Sequence, residues 1–405
     1  MYKRSKELSL LKNLMDNIED NIYFMDREGH ITMINQAGAK WLGFDSPGEV
    51  IGKTDLDIFT DEHGRAAFED EQRIMETGEP ILGLEEKETW EDGHETWVST
   101  SKMPLRDANG EIIGVFGISR DITEHQLSEI KLHQYAQRLT QINKQMEEEL
   151  RMAANLQRAF LPQFYPDFPA PSEKKPVQFA HRYIASTLVS GDLCAVNKLN
   201  DTEAGILIFD VMGHGVRAAL ITAVVHTMVG DLSRRNLSPG EFLSEMNRQL
   251  RTILQTQDDF IFITANYLIL NTETGTLSGA SAGHTIPFHI SGKEAPNPVS
   301  MLHAAEKVNG PALAVVENFE YNTFEIPLAP NDSILMYTDG LIEEANEAGE
   351  EFGSDRVKTL LEQQRDKDPQ ALCDALVDTI TEFNSGAVLT DDICLLAFRW
   401  NGPLN

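Results

Sequence analysis

Residues 206 to 215 read Ile206-Leu207-Ile208-Phe209-Asp210-Val211-Met212-Gly213-His214-Gly215, and a helix-like run from Val216 to Asp231 follows. Four apolar residues run straight into a carboxylate. A short continuous apolar run reads as a strand covered on both faces. The aspartate at its end then stands at the sheet edge, rigidly held and facing out, which suits a metal ligand. The two glycines let the backbone turn sharply and come close to whatever is bound.

The same construction recurs. Ser333-Ile334-Leu335-Met336-Tyr337-Thr338-Asp339-Gly340 is a second apolar run ending in Asp-Gly, and Thr390-Asp391-Asp392 leads the other way, into the apolar run Ile393 to Phe398. Ser190-Gly191-Asp192 puts a carboxylate just past a glycine. One aspartate at a strand end is ordinarily a turn residue or a helix cap. Four on one pattern argue for convergence on one edge of a folded sheet.

Composition sets the bounds. A chain of 405 residues suggests two or three domains. The net charge of −30 argues against nucleic acid and against anionic membrane surfaces as partners. No apolar run approaches the roughly 18 residues of a membrane span. The basic start Met1-Tyr2-Lys3-Arg4-Ser5-Lys6 is followed by no signal-peptide core. The three cysteines, Cys194, Cys373 and Cys394, form neither metal spacing nor a disulfide framework. They are expected to be buried thiols in a reducing, cytoplasmic setting.

Residues 8–125 read as a small α+β domain. Asn21 to Met25 and His30 to Asn35 are strands about the turn Asp26-Arg27-Glu28-Gly29, and Gln36 to Leu42 is helical. Glu91-Asp92-Gly93 and Ala108-Asn109-Gly110 are hairpin turns separating Glu85 to Trp90, Glu95 to Met103 and Glu111 to Ser119. The expectation is an antiparallel sheet. Ile31 to Ala37, Val50-Ile51-Gly52-Lys53-Thr54, and Gly114 to Thr123 with its closing Asp121-Ile122-Thr123, resemble a PAS sensor domain. The resemblance implies a pocket between sheet and helices whose ligand is unknown. The region holds no cysteine for a flavin photoadduct; His30, His63 and His94 are the available haem ligands, each read first as a surface or turn histidine.

Between Ser128 and Phe160 the pattern changes. Leu132, Leu139, Met146, Ala153 and Phe160 recur every seven residues, Tyr135, Ile142 and Leu156 take the partner position, and Glu149 interrupts it. Heptads of this kind predict a coiled-coil linker over 126–161, hence a parallel homodimer. A single amphipathic helix lying on a neighbouring domain is the alternative. Leu161-Pro162 stops the helix. Pro162, Pro166, Pro169, Pro171 and Pro176 mark a connector over 162–176, and the last domain runs over 177–400.

That last domain resembles the SpoIIE/RsbU-type serine/threonine phosphatases of the protein phosphatase 2C superfamily. The resemblance is carried by Arg151 to Gln157 with Leu161-Pro162, by Ser190-Gly191-Asp192 and Asp210 to Gly215, by Thr264-Ala265 and Ser281-Ala282-Gly283-His284, and by Tyr337 to Gly340 and Thr390-Asp391-Asp392. It implies an α-β-β-α sandwich and two divalent ions, Mn²⁺ or Mg²⁺. Asp210 would bridge both ions, the Val211 carbonyl would coordinate one, and Asp192, Asp339 and Asp391 would complete the set. Asp210 and Asp192 are then the catalytic carboxylates. Asp392 aligns less directly, as a second-sphere residue. His214 is either a proton donor or a turn residue, and His284 is structural. Hard ions take oxygen ligands, so the carboxylate set agrees, and the lack of His/Cys clusters argues against zinc. The chain departs from the family at Ala195, where a second acid is usual, and at Cys394, where threonine is usual.

The whole chain resembles RsbP-like regulators, in which a sensor controls a phosphatase. That implies, as substrate, a phosphorylated anti-sigma factor antagonist of the STAS fold. The alternative is a non-catalytic pseudophosphatase scaffold, supported by Ala195. A sensor histidine kinase fits less well, because the linker carries no phosphoacceptor-histidine motif and no Gly-rich nucleotide pocket follows it.

Overall fold

The first sheet is set by turns that only glycine closes easily. In the computed structural model, which describes residues 2–90, 92–168, 175–213, 215–254, 261–292 and 298–403, Gly29, Gly93 and Gly110 all have φ between +85° and +87°. Asp107 Oδ1 accepts from the Asn109 and Glu111 amides and so locks the Asn-Gly hairpin. The result is an antiparallel sheet in the order Ile31–Ile34, Asn21–Met25, Ile112–Asp121, Glu95–Arg106, Ile81–Thr89. This is the expected PAS fold. Glu91 of the second hairpin lies outside the described residues.

Two helices were not legible. Tyr2–Asn17 precedes the sheet, and Asp61–Thr77 packs on its strands. The second is rich in acid, and its buried face holds only Gly64, Ala67, Glu71 and Ile74, so the apolar period is faint. Glu71 faces inward because Lys102 meets it, Nζ to Oε1 at 3.1 Å, with both side chains buried.

Glu88 is another buried acid of this domain. It accepts from Trp41 Nε1 at 3.1 Å and from Thr96 Oγ1 at 3.0 Å. Burial nonetheless pushes its carboxyl up to about 7. A raised acid binds more protons folded than unfolded, so this group costs stability as pH rises from about 4.5 to 7. Glu88→Gln is therefore expected to flatten that part of the pH profile and to stabilise the domain by roughly 2–3 kcal/mol at pH 8. Urea unfolding followed by tryptophan fluorescence checks it, since Trp41, Trp90 and Trp97 report this domain and only Trp400 the other.

The chain divides into two units, Met1–Asn143 and Lys144–Asn405. One helix, Thr123–Arg158, runs from the first into the second. Leu132, Tyr135, Leu139, Ile142 and Met146 are exposed along it. The heptad pattern stops short of its expected end. The helix finishes at Arg158, and Phe160 stacks on His226 at 4.6 Å instead of entering a seam. Ala154, Gln157 and Leu161 are buried while Leu156 is 68% exposed, so the last turns serve their own domain's core.

The second unit is built on two sheets. One has the order Asn309–Gly310, Thr276–Ala282, Ile263–Asn271, Glu203–Val211, Leu193–Lys198, with Phe324–Pro327 also pairing Thr276–Ala282. The other runs Val299–Met301, Phe288–Ile290, Ser333–Tyr337, Ile393–Trp400, Val177–Ile184. Strand alternation gives the layering. Ile334, Met336, Cys394, Leu396 and Phe398 join the core shared with the first sheet, whereas Leu335, Tyr337, Ile393, Leu395 and Ala397 join the core under helices Gly353–Gln364 and Pro369–Phe383. Helices Val216–Leu232 and Pro239–Leu254 pack on the first sheet. This is the expected α-β-β-α sandwich. The three cysteines are buried thiols. Among the described residues no helix is long and apolar enough to cross a membrane.

Candidate metal centre

Sheet register brings the aspartates to one end of the sandwich. Leu193 pairs with Phe209, so Asp192 and Asp210 lie side by side just past that pair. In the other sheet Tyr337 pairs with Leu395, which sets Asp339 beside Asp391 and Asp392. The two ends are tied by Thr338. Its hydroxyl donates to Asp192 Oδ2 at 2.7 Å and accepts from the Cys394 amide at 2.8 Å, and its own amide donates to the Cys394 carbonyl at 3.1 Å.

Two glycines make the approach possible. A Cβ on Gly191 would lie 2.6 Å from the Val211 carbonyl oxygen and 3.3 Å from Asp210 Oδ1. A Cβ on Gly340 would lie 2.1 Å from the Asp392 carbonyl oxygen. Both glycines are read from sequence as part of the Gly-Asp and Asp-Gly motifs. The steric reason for them is visible only here.

The carboxylates press on one another. Asp192 is buried and hydrogen-bonded to Asp210; burial first, then the Asp210 charge, holds it well above the usual carboxylate range. Asp210 is half-buried and pushed up to about 7, by burial and then by Asp339, with Asp391 and Asp392 adding to it. The charges acting most strongly on both are carboxylates. Asp339 is half-buried at the start of the short helix Gly340–Glu343, and Asp391 is exposed. Among the described residues no three such side chains surround a common point.

Asp392 does something else. Its Oδ1 accepts from the Ser186 amide at 2.8 Å and the Ser186 hydroxyl at 2.9 Å, and its Oδ2 from the Gly191 amide at 3.1 Å. It braces the turn that carries Asp192. Thr222 adds a hydroxyl bond to the Gly191 carbonyl at 3.2 Å. Gln157 grips the same turn from the linker helix. In the sequence Gln157 and Thr338 stand inside motifs that assign them no task of their own. Ser186 and Thr222 carried no signal, because their partners are remote in sequence.

His214 lies outside the described residues. His284 is buried, bonds Thr264 Oγ1 at 2.7 Å through Nδ1, and is driven down to about 3 by burial. A neutral imidazole held that way is a turn component. Ala195 sits in the apolar core. Cys394 offers its backbone to Thr338 while its thiol is buried.

In the first unit a cavity of about 50 Å³ is lined by Tyr23, Trp41, Phe59, His63, Glu88 and Lys102, among others. That is room for a few waters. Of His30, His63 and His94, only His63 lines it. His30 pairs with Asp26, and His94 stacks on Trp90 beside Asp92.

The donor chemistry of this centre suits a hard divalent cation. All the converging donors are oxygen, and positive charge would relieve the crowding that now raises Asp192 and Asp210. Residues 200–401 match the family described as Stage II sporulation protein E (SpoIIE), and residues 15–127 match the PAS fold. The phosphoserine phosphatase RsbP of Bacillus subtilis (strain 168) is 28% identical over 200 residues, 49% of this chain and 46% of RsbP. The phosphoserine phosphatase RsbU of the same organism is 26% identical over 268 residues, 66% of this chain and 74% of RsbU. The chain thus spans less than half the length of the first of these relatives. The SiaA-PP2C domain of Pseudomonas aeruginosa superposes with a TM-score of 0.54 at 23% identity, over 64% of this chain and 98% of that domain, which shows a shared fold.

Proposed function

We propose, from the premise that the C-terminal domain belongs to the SpoIIE-type protein phosphatases of the 2C superfamily and follows a PAS domain, that this chain is a sensor-regulated, metal-dependent protein serine/threonine phosphatase. The observation that supports the reading is the sheet register, tied across by Thr338, that sets Asp192 and Asp210 on one strand pair and Asp339 and Asp391 on the other at the same end of the sandwich. Asp210 and the Val211 carbonyl, with Asp192, Asp339 and Asp391, would hold two ions, Mn²⁺ or Mg²⁺. Bound there, the ions supply an activated water and neutralise the phosphoryl oxygens. The chain's own part is positional. Thr338 and Asp392 fix the Asp192 turn, and Gly191 and Gly340 let the strand ends close up. Asp391 and Met212, both exposed, leave the centre open to a protein-borne phosphate.

The substrate we infer is a phosphorylated STAS-type anti-sigma factor antagonist. The exposed heptad seam of the linker helix supports a homodimer, the acidic surface argues against nucleic acid and membrane partners, and the setting is cytoplasmic. The working domains are 8–125, 126–161, 162–176 and 177–400.

The test is hydrolysis of para-nitrophenyl phosphate, and of a phosphoserine-bearing antagonist protein, by the full chain. Turnover with Mn²⁺ that EDTA abolishes is expected. The pseudophosphatase reading, which Ala195 favours, requires that neither substrate turns over, and it does not need Mn²⁺ to bind, whereas the enzyme does.

A further inference from the structure

We propose that the cavity of the PAS domain binds a small primary ammonium cation, held by the Glu88 carboxylate against an aromatic wall. Glu88 is 6% exposed and lines the cavity. Both donors that reach it, Trp41 Nε1 at 3.1 Å and Thr96 Oγ1 at 3.0 Å, bond to Oε2. Trp90 Nε1 donates to the same Thr96 hydroxyl at 2.8 Å, which commits that hydroxyl's proton to Glu88. Among the described residues Oε1 accepts no hydrogen bond. A buried carboxylate oxygen with nothing to accept calls for a donor.

The donor the site lacks is a charged one. Among the described residues no Lys, Arg or His pairs with Glu88, and the charges acting on it are the carboxylates of Glu86 and Asp55. Lys102 also lines the cavity, but its ammonium is engaged by Glu71 Oε1 at 3.1 Å and the Ala67 carbonyl at 3.3 Å. Asp55 belongs to that cluster, hydrogen-bonded to Glu71 and attracted to Lys102. Burial lowers His63 and so keeps it neutral at pH 7, and burial likewise keeps the Tyr23 phenol protonated. Glu88 is thus a carboxylate facing a cavity with no cation of its own.

The walls select the kind of cation. Trp41, Phe59 and Tyr23 supply ring surface, and Trp90 packs on Phe59 with centroids 4.9 Å apart. Rings attract a cation through their quadrupole and accept a short alkyl body by apolar contact. A hard metal ion asks for several oxygen ligands, which such walls do not offer. At about 50 Å³ the cavity takes only a few non-hydrogen atoms.

Binding is linked to protons. In the empty cavity burial pushes the Glu88 carboxyl up to about 7. An ammonium pairs with the ionised form, so its affinity rises with pH through that value and levels off above it. The site lies wholly within the first unit and does not depend on the metal centre of the second.

The experiment is a titration of the full chain with ethylammonium chloride at constant ionic strength, read by tryptophan fluorescence and by saturation-transfer NMR on the ethyl protons. Trp41 donates to Glu88, so its emission reports what the carboxylate meets. Ethanol and acetate are the neutral and negative probes of similar size. Wild type is expected to bind ethylammonium with a Kd on the order of 1 mM, as three non-hydrogen atoms allow. Binding should be about thirtyfold tighter at pH 8 than at pH 5.5, following the ionised fraction of Glu88. Glu88→Gln keeps an acceptor for Trp41 and Thr96 but no charge, so it should weaken binding about tenfold or more and remove the pH dependence. Ethanol or acetate binding as tightly as ethylammonium overturns the proposal, and so does equal ethylammonium affinity in Glu88→Gln. No response of wild type up to about 100 mM, well past the range such a ligand allows, overturns it as well. If the glutamine variant fails to fold, wild type decides alone: an affinity that does not change between pH 5.5 and pH 8 removes Glu88 as the anchor.

Discussion

Asp210→Ala is expected to lower phosphatase turnover on the order of a thousandfold or more, about 4 kcal/mol of transition-state stabilisation, without unfolding the protein. Asp210 is the penultimate residue of a strand whose residues Ile206, Ile208 and Phe209 are fully buried, and it pairs with Thr264, so its backbone stays where it is. Its carboxyl is the junction of the cluster, hydrogen-bonded to Asp192 and repelled by Asp339. In the metal-free protein that crowding is a cost. A carboxyl held near 7 keeps a proton that the unfolded chain has lost from about pH 4, so metal-free stability falls as pH rises through that window. Removing Asp210 relieves the repulsion, and metal-free Asp210→Ala should melt at or above wild type at pH 8. Saturating Mn²⁺ should raise the melting temperature of wild type, by mass action, and leave the variant's unchanged. Calorimetry with Mn²⁺ and with EDTA reads both. Wild-type turnover in the variant, or an equal Mn²⁺ shift in both, sinks the assignment of Asp210 as a ligand.

Gly340→Ala should lose function by a steric route. The added Cβ would stand 2.1 Å from the Asp392 carbonyl oxygen and 3.0 Å from its carbon. Both are backbone atoms and cannot rotate away. Contact at an ordinary C···O distance near 3.3 Å requires the two strand ends to part by about 1 Å. The bonds of Thr338 to Cys394 and Asp192 oppose that movement. Overpacking of this kind costs roughly 3 kcal/mol, or about 6–12 °C in melting temperature for a domain of this size. Displacing Asp339 from Asp391 by about 1 Å is expected to cost roughly a hundredfold in turnover. Gly230→Ala is the matched control. Gly230 lies within the helix Val216–Leu232 with open space where its Cβ would go, so alanine there should stabilise by up to about 1 kcal/mol and leave turnover alone. A Gly340→Ala variant that melts and turns over like wild type means the strand ends are slack.

Several features were determined by sequence alone, because they are local. Apolar runs ending in Asp or opening from it gave the buried strands and placed Asp192, Asp210, Asp339 and Asp391 at their ends. Asp-Gly and Asn-Gly turns gave the hairpins, since φ near +86° is cheap only for glycine. The heptads gave one long helix. What tertiary structure decided depends on partners distant in the chain. The helix Asp61–Thr77 turns an acid inward because Lys102, thirty-one residues beyond Glu71, is there to meet it. The heptad pattern yields at Phe160 because His226 offers it a ring to stack on. Asp391 and Asp392 are neighbours with the same side chain, yet one is exposed at the centre while the other is bound to Ser186 and Gly191, some two hundred residues away. No periodicity carries that distinction, because it arises from which backbone amides the closed sandwich leaves within reach of each carboxylate.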